Sequence, residues 1–167
     1  MSWILLTLFF FFLILCIFFA FPWIYGAPFE PTSNKKLKQI IKLANIKKSE
    51  KAVDLGSGDG RIVIEIAKKG AEAHGFEINP FLVFLSRRKI KKQGLENKAF
   101  IHWKNFWKED LGEYDLIVMF QFSTIMKRLE KKLKKELKPS ARIISYYWKF
   151  PNWKIKNKKE NIFVYQK

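Results

Sequence analysis

The sequence predicts an α/β fold: a doubly wound, Rossmann-like sheet with helices on both faces, preceded by one apolar N-terminal helix. Three observations carry this. From residue 51 onward, apolar strand patterns alternate with amphipathic helix patterns. A glycine-rich turn, Gly56-Ser57-Gly58-Asp59-Gly60, joins the first strand directly to the first helix of that series. The first 29 of 167 residues carry no charged side chain, so the net charge of +17, from 32 Lys+Arg against 15 Asp+Glu, sits entirely on the remainder.

The apolar stretch runs from Trp3 to Tyr25, long enough for a bilayer span, which takes about 20 residues. Trp3 near one end and Trp23 and Tyr25 near the other suit interfacial aromatics. A cleaved signal peptide fits poorly: no Lys or Arg precedes the run, and the run exceeds an ordinary signal core. A buried core helix fits poorly too, because Phe9 to Phe12 leave no polar face. Lys35, Lys36, Lys38, Lys42, Lys47 and Lys48 follow the run and nothing basic precedes it. The positive-inside bias then predicts a single-pass protein, N-terminus out, with its C-terminal domain on the cytoplasmic face. The expected organisation is an anchor over 1–25, a connector with an amphipathic helix over 26–50, and the α/β domain over 51–167.

The elements follow in order. Pro28 and Pro31 deny the connector regular structure. Leu37, Ile40, Ile41 and Ala44 then mark one face of a helix that Thr32, Ser33 or Asn34 can cap. A strand is expected near 51–55, a helix over 60–69 closed by Gly70, and a second strand near 72–77. Asn79-Pro80 opens the next helix with a capping residue and a proline at the first helical position, and Gly94 ends it. A third strand is expected near 98–103 and a fourth over 114–120. A helix over 124–138 follows, with Leu129, Leu133 and Leu137 inward, stopped by Pro139. A fifth strand spans 142–148. Residues 153–155 and 162–165 read as two closing strands joined by a charged turn.

The glycine turn defines the ligand. Its spacing is GxGxG: the third glycine of the dinucleotide fingerprint would fall on Arg61, and no P-loop sequence is present. Asp54, two residues before Gly56, suits a cationic head near the turn and would repel a pyrophosphate. Glu77, at the end of the second strand, can accept hydrogen bonds from both hydroxyls of a ribose. One ligand meets all three conditions: S-adenosylmethionine (SAM), a nucleoside with an α-ammonium. Candidate cofactor residues are Asp54, Gly56, Ser57, Gly58, Gly60 and Glu77. Asn105 can bond an adenine edge, and Phe106 or Trp107 can pack on its face. Phe120 and Gln121 follow the fourth strand, where an acceptor would meet the methyl group; a bland alternative makes Phe120 and Phe122 core residues and Ser123 a helix cap. No side chain stands out as a catalytic base. The lone cysteine, Cys16, excludes an intrachain disulfide. His74 and His102 lack zinc spacing and read as ordinary strand or loop residues, so no metal is expected.

With these residues in view, the chain resembles the class I (seven-strand) SAM-dependent methyltransferases. Within them it is most similar to the membrane-anchored lysine methyltransferases of the ATP synthase c-subunit and of the adenine nucleotide translocase. The matching stretches are Gly26 to Thr32, Asp54 to Arg61, Gly75 to Asn79, Phe106-Trp107, Lys132 to Leu137 with Ala141-Arg142, and Phe150 to Trp153. The resemblance implies an N-terminal transmembrane anchor, a SAM-binding core, and a membrane-protein lysine as acceptor. It implies that the connector, with Pro28, Phe29, Pro31 and Thr32, folds over the cofactor or acceptor channel. The chain departs from the pattern at Asn105, where an acidic residue is usual.

The strong positive charge suits an anionic membrane surface, at about 1 kcal/mol per nearby Lys or Arg. Nucleic acid, with Trp103, Trp107, Tyr146 and Trp148 as stacking candidates, is the less favoured partner, since the lysines spread over several helices. The leading reading is protein-lysine N-methylation. The alternatives are methylation of a membrane-soluble small molecule, such as a quinone or lipid headgroup, and a SAM-binding protein without turnover.

Overall fold

A computed structural model describes residues 3–13 and 32–167. Residues 3–13 are helical, and no helix among the described residues is long and apolar enough to cross a membrane. The rest of the expected span, to Tyr25, and the connector residues Pro28, Phe29 and Pro31 lie outside the described residues.

The compact unit that follows starts at Pro31 and runs to Lys167. Helix α1 (Asn34–Ala44) is capped by Ser33, whose hydroxyl accepts from the Lys36 N–H, and it buries Leu37, Ile40, Ile41 and Ala44. Five parallel strands follow: β1 (Lys51–Leu55), β2 (Glu72–Glu77), β3 (Ala99–Trp103), β4 (Leu116–Met119) and β5 (Arg142–Tyr146). Between them lie α2 (Arg61–Lys68), α3 (Pro80–Lys92), a 3₁₀ turn (Phe106–Lys108) and α4 (Ser123–Glu136). An antiparallel pair, β6 (Asn157–Lys159) and β7 (Ile162–Gln166), completes a seven-stranded sheet of order β3-β2-β1-β4-β5-β7-β6. Strand order reverses between β1 and β4, which opens a crevice beyond their C-terminal ends.

Alternation along the strands divides the core. Ala52, Leu116, Val118 and Ile144 face α1, α2 and α3 in one cluster. Val53, Leu55, Ile117, Met119 and Ile143 face Met126, Leu129, Leu133 and Leu137 of α4 in the other. Helices therefore cover both faces, as period-2 burial on both sides of a parallel sheet demands. Arg142 locks α1 to this sheet: its guanidinium donates to both Glu50 carboxylate oxygens at 2.8 Å and to the Ala44 carbonyl at 3.2 Å.

Three boundaries differ from the sequence expectation, each for a physical reason. Strand β4 ends at Met119 because β1 ends at Leu55; the Leu55 carbonyl is taken by the Gln121 side-chain amide at 2.6 Å. Strand β5 ends at Tyr146 because Tyr147 adopts a left-handed φ of 75°. Residues 153–155 are not a strand. The Trp153 indole packs on Phe150 and Tyr165 and donates to the Gln166 carbonyl, so the apolar pattern there records a loop lying on the core. The outer closing strand is Asn157–Lys159, polar and exposed as an edge strand should be.

Candidate functional site

The glycine turn leaves β1 at Leu55 with Gly56, Gly58 and Gly60 all at positive φ. At two of these a side chain would also meet close neighbours. A Cβ on Gly56 would stand 2.8 Å from the Gln121 amide nitrogen, and one on Gly60 would stand 2.7 Å from the Ser86 Cβ of α3. The N–H groups of Gly56 and Ser57 donate to the Phe76 carbonyl, joining the exits of β1 and β2. Glu77 sits where they meet. Its carboxylate accepts from the Gly58 N–H at 2.9 Å and from the Ile78 and Asn79 N–H groups at 2.8 Å each. Charge-assisted bonds of this kind hold the carboxylate in one orientation. Asn79 then caps α3, accepting from the N–H groups of Phe81 and Leu82.

Asp54 is buried at 3% exposure. Desolvation, reinforced by the charges of Glu77 and Asp59, pushes its carboxyl well above the ordinary carboxylate range. Among the described residues its carboxylate accepts no hydrogen bond, and the buried Ser57 hydroxyl has no partner. A buried acid in acidic company, without a donor, is costly unless a cation completes it. This is the fit expected for a ligand with a cationic head. Asp59 is the opposite case. Burial raises its carboxyl, but hydrogen bonds from Arg61 and Lys89 outweigh that and bring it to about 2. Arg61 donates to Asp59 through Nε and Nη2 at 2.9 Å and, through Nη1, to the Thr32 carbonyl at 2.6 Å. The end of the connector is thereby tied to the glycine turn. Sequence reading did not find this Asp59–Arg61–Lys89 network; the signal was Arg61 itself, standing where a dinucleotide fold would place glycine.

The other candidates divide. Gln121 is buried and touches the turn through Leu55 and Gly56. Phe120 packs on Tyr146 at 4.8 Å, tilted by 55°, and lies 6.4 Å from Tyr147, which meets Trp148 edge-on at 5.2 Å. These four rings form one aromatic group beyond the ends of β4 and β5. It is rigidly held: the Tyr147 N–H donates to the Asn161 carbonyl at 2.6 Å, and the Ser145 hydroxyl donates to the Trp148 carbonyl at 2.5 Å. Phe122 is 45% exposed and Ser123 is the first helical residue without a capping bond, so neither plays the structural part the bland alternative gave them. Asn105 is exposed and caps the 3₁₀ turn, accepting from the Trp107 N–H at 3.0 Å. Phe106 packs on Trp107, whose other neighbour is the Arg128 guanidinium, 4.3 Å from the ring centroid.

His74 and His102, isolated in sequence, are partners in space. Parallel pairing of β2 with β3 brings His74 Nδ1 within 2.9 Å of His102 Nε2, while His74 Nε2 meets Glu72 at 2.8 Å. Burial, followed by the charges of His74 and Lys104, lowers the His102 pKa, which favours the neutral ring that this pairing needs.

Residues 54–157 match the model of the ANTKMT methyltransferase domain. The chain is 40% identical over 126 residues to the human lysine N-methyltransferase of the ATP synthase c-subunit, an alignment covering 75% of this chain and 54% of that protein. It is 34% identical over 139 residues to a protein-lysine N-methyltransferase of Saccharolobus islandicus, covering 82% and 84% of the two chains. The chain thus spans about half the length of the animal relative and most of the archaeal one. Among solved structures, an RNA methyltransferase from Salinibacter ruber in complex with S-adenosyl-L-homocysteine superposes with a TM-score of 0.76 at 27% identity, covering 81% of this chain and 91% of that one. On the match through its glycine turn and parallel sheet, the chain belongs to the ANTKMT methyltransferase domain family.

Proposed function

We propose that the chain is a membrane-associated, SAM-dependent methyltransferase that N-methylates a lysine side chain of a membrane protein. The observation that carries this is the buried Asp54 carboxyl, which accepts no hydrogen bond among the described residues, set against a glycine turn whose far side is closed by Glu77. The names of the two lysine-methylating relatives support the acceptor class. When bound, SAM supplies a methyl group already activated on a sulfonium.

The chain's own residues divide the work. Asp54 receives the cationic head and is relieved of its isolation. Gly56, Ser57, Gly58 and Gly60 let the ligand approach bare backbone, and Glu77 exchanges its Gly58 bond for ribose hydroxyls. Asn105 and Phe106 border the adenine end. Gln121 fixes the floor between cofactor and acceptor by clamping Leu55. Phe120, Tyr146, Tyr147 and Trp148 receive the acceptor amine. An amine that attacks a methyl carbon gains positive charge as the carbon–sulfur bond breaks, and aromatic faces stabilise that charge by about 0.5–2 kcal/mol. The apolar walls also favour the neutral amine before attack. The Thr32 carbonyl, held by Arg61, borders the site on that side, and Pro28, Phe29 and Pro31 precede it in the sequence. The apolar N-terminus places the enzyme at the bilayer with its N-terminus out and its domain on the cytoplasmic face, as the lysines after residue 34 favour.

Isolated membranes incubated with methyl-labelled SAM test the reading. Label is expected in a protein band and is lost with Asp54→Ala or Glu77→Ala. Label confined to the organic extract or to nucleic acid would overturn the acceptor class. A C-terminal reporter active only outside the cytoplasm would overturn the topology.

A further inference from the structure

We propose that an aromatic face formed by Phe81, Phe84 and Trp103 is a second membrane contact, seated on an anionic bilayer surface. The inference builds on the tethered enzyme proposed above and names the surface its catalytic rim meets. Helix α3 already buries Leu82, Val83, Ser86 and Ile90. Yet it presents Phe81 and Phe84, one turn apart, at 52% and 59% exposure. Trp103, at 63% exposure, is tied to the start of the same helix: its indole N–H donates at 3.0 Å to the carbonyl of Ile78, in the short link from Glu77 to α3. A ring pinned by its polar atom, with its apolar surface in solvent, is the arrangement favoured at a membrane interface.

The charges around the face identify the occupant. Arg88, Lys91 and Lys92 continue the exposed side of α3 and, among the described residues, form no salt bridge. The other cations nearby are engaged: Arg87 donates to the Ile101 carbonyl, Lys89 pairs with Asp59, and Lys104 pairs with Glu109. Aromatic groups flanked by free cations suit acyl chains beneath anionic headgroups. The same chain carries 23 mostly apolar residues from Trp3 to Tyr25, which brings a bilayer within its reach. The face adjoins Glu77 and Asn79, so seating it turns the rim that holds the cofactor turn toward the headgroups, where a lysine of a membrane protein would emerge.

The test uses the full chain reconstituted in vesicles with brominated acyl chains and about one-third anionic lipid, compared with Trp103→Phe. If Trp103 lies in the interface, the variant loses emission that the lipid quenches, and the quenched fraction falls. If Trp103 faces water, the variant loses unquenched emission and the fraction rises, which overturns the proposal. In parallel, Phe81→Ser with Phe84→Ser should lower transfer to a membrane-embedded acceptor about tenfold while transfer to a soluble lysine peptide stays within twofold. Equal loss on both acceptors, or protection of Trp103 only by added RNA or soluble protein, also overturns it. Calorimetric binding of S-adenosylhomocysteine reports separately on the methyltransferase reading: its loss in the wild-type chain would remove that reading without bearing on the quenching result.

Discussion

Asp54, in β1, and Asp59, on the turn that follows it, stand five residues apart and are driven in opposite directions. Asp54 has a raised folded-state pKa, so it costs the ligand-free fold stability at neutral pH, a cost that is relieved progressively as pH falls from the raised value and is gone below the ordinary value of 3.8. Asp54→Asn should therefore raise the Tm of the ligand-free protein by about 2–4 °C while abolishing SAM binding, read by thermal melts and calorimetry. A lowered Tm with binding intact would contradict the role given to Asp54. Asp59 has a lowered pKa, from 3.8 to about 2, so its contribution is present above pH 3.8 and is lost as pH falls through about 2. That contribution is about 2 kcal/mol. Asp59→Asn should lose it at neutral pH and flatten the acid limb of the stability profile. Tyr147 carries its constraint in the backbone, at a left-handed φ of 75°. A left-handed non-glycine residue costs of order 1 kcal/mol, similar to the entropic penalty of glycine. Tyr147→Gly should leave Tm within about 2 °C yet lower kcat/KM about tenfold through the lost ring.

Among the elements, α4 shows how a helix of lysines can be structural. Its exposed side is almost wholly basic, but Leu129 and Leu133 are fully buried against the sheet. Leu133→Ala should cost about 2–5 kcal/mol in denaturant melts, and the loss should be the same with and without SAM, because α4 holds the sheet and not the ligand. Helix α3 has a different composition for a different reason. Its apolar residues lie on two sides, one packed on β3 and one in solvent, and an exposed side of that kind is a contact surface. The closing strands illustrate the limits of pattern reading. Trp153 and Ile155 alternate like a strand but belong to a loop laid on the core, while the true edge strand, Asn157 to Lys159, is too polar to announce itself.

For the whole molecule, the cofactor crevice is completed by parts distant in the chain. Arg61 joins Thr32 to Asp59, Lys89 joins Asp59 from α3, and Gln121 reaches back to Leu55. A ligand that fills this crevice should stabilise the entire unit and not one loop. At about a hundredfold excess over Kd, S-adenosylhomocysteine should add about 2.7 kcal/mol, seen as a single cooperative upward shift in Tm. A shift absent in the wild-type chain, or present and unchanged in Asp54→Asn, would contradict this site.

The sequence by itself determined the α/β class, the glycine turn, Glu77 as its partner carboxylate and the apolar N-terminal run, because each is local: a hydrophobic period, a spacing, a composition. The tertiary structure decided which residues meet. It paired His74 with His102 through parallel register, gathered Phe120 with Tyr146, Tyr147 and Trp148, and left Phe81, Phe84 and Trp103 exposed. It also separated two aspartates five residues apart into an isolated acid and a doubly paired one. Register, burial and charge neighbours arise from contacts between distant segments, and no local period encodes them.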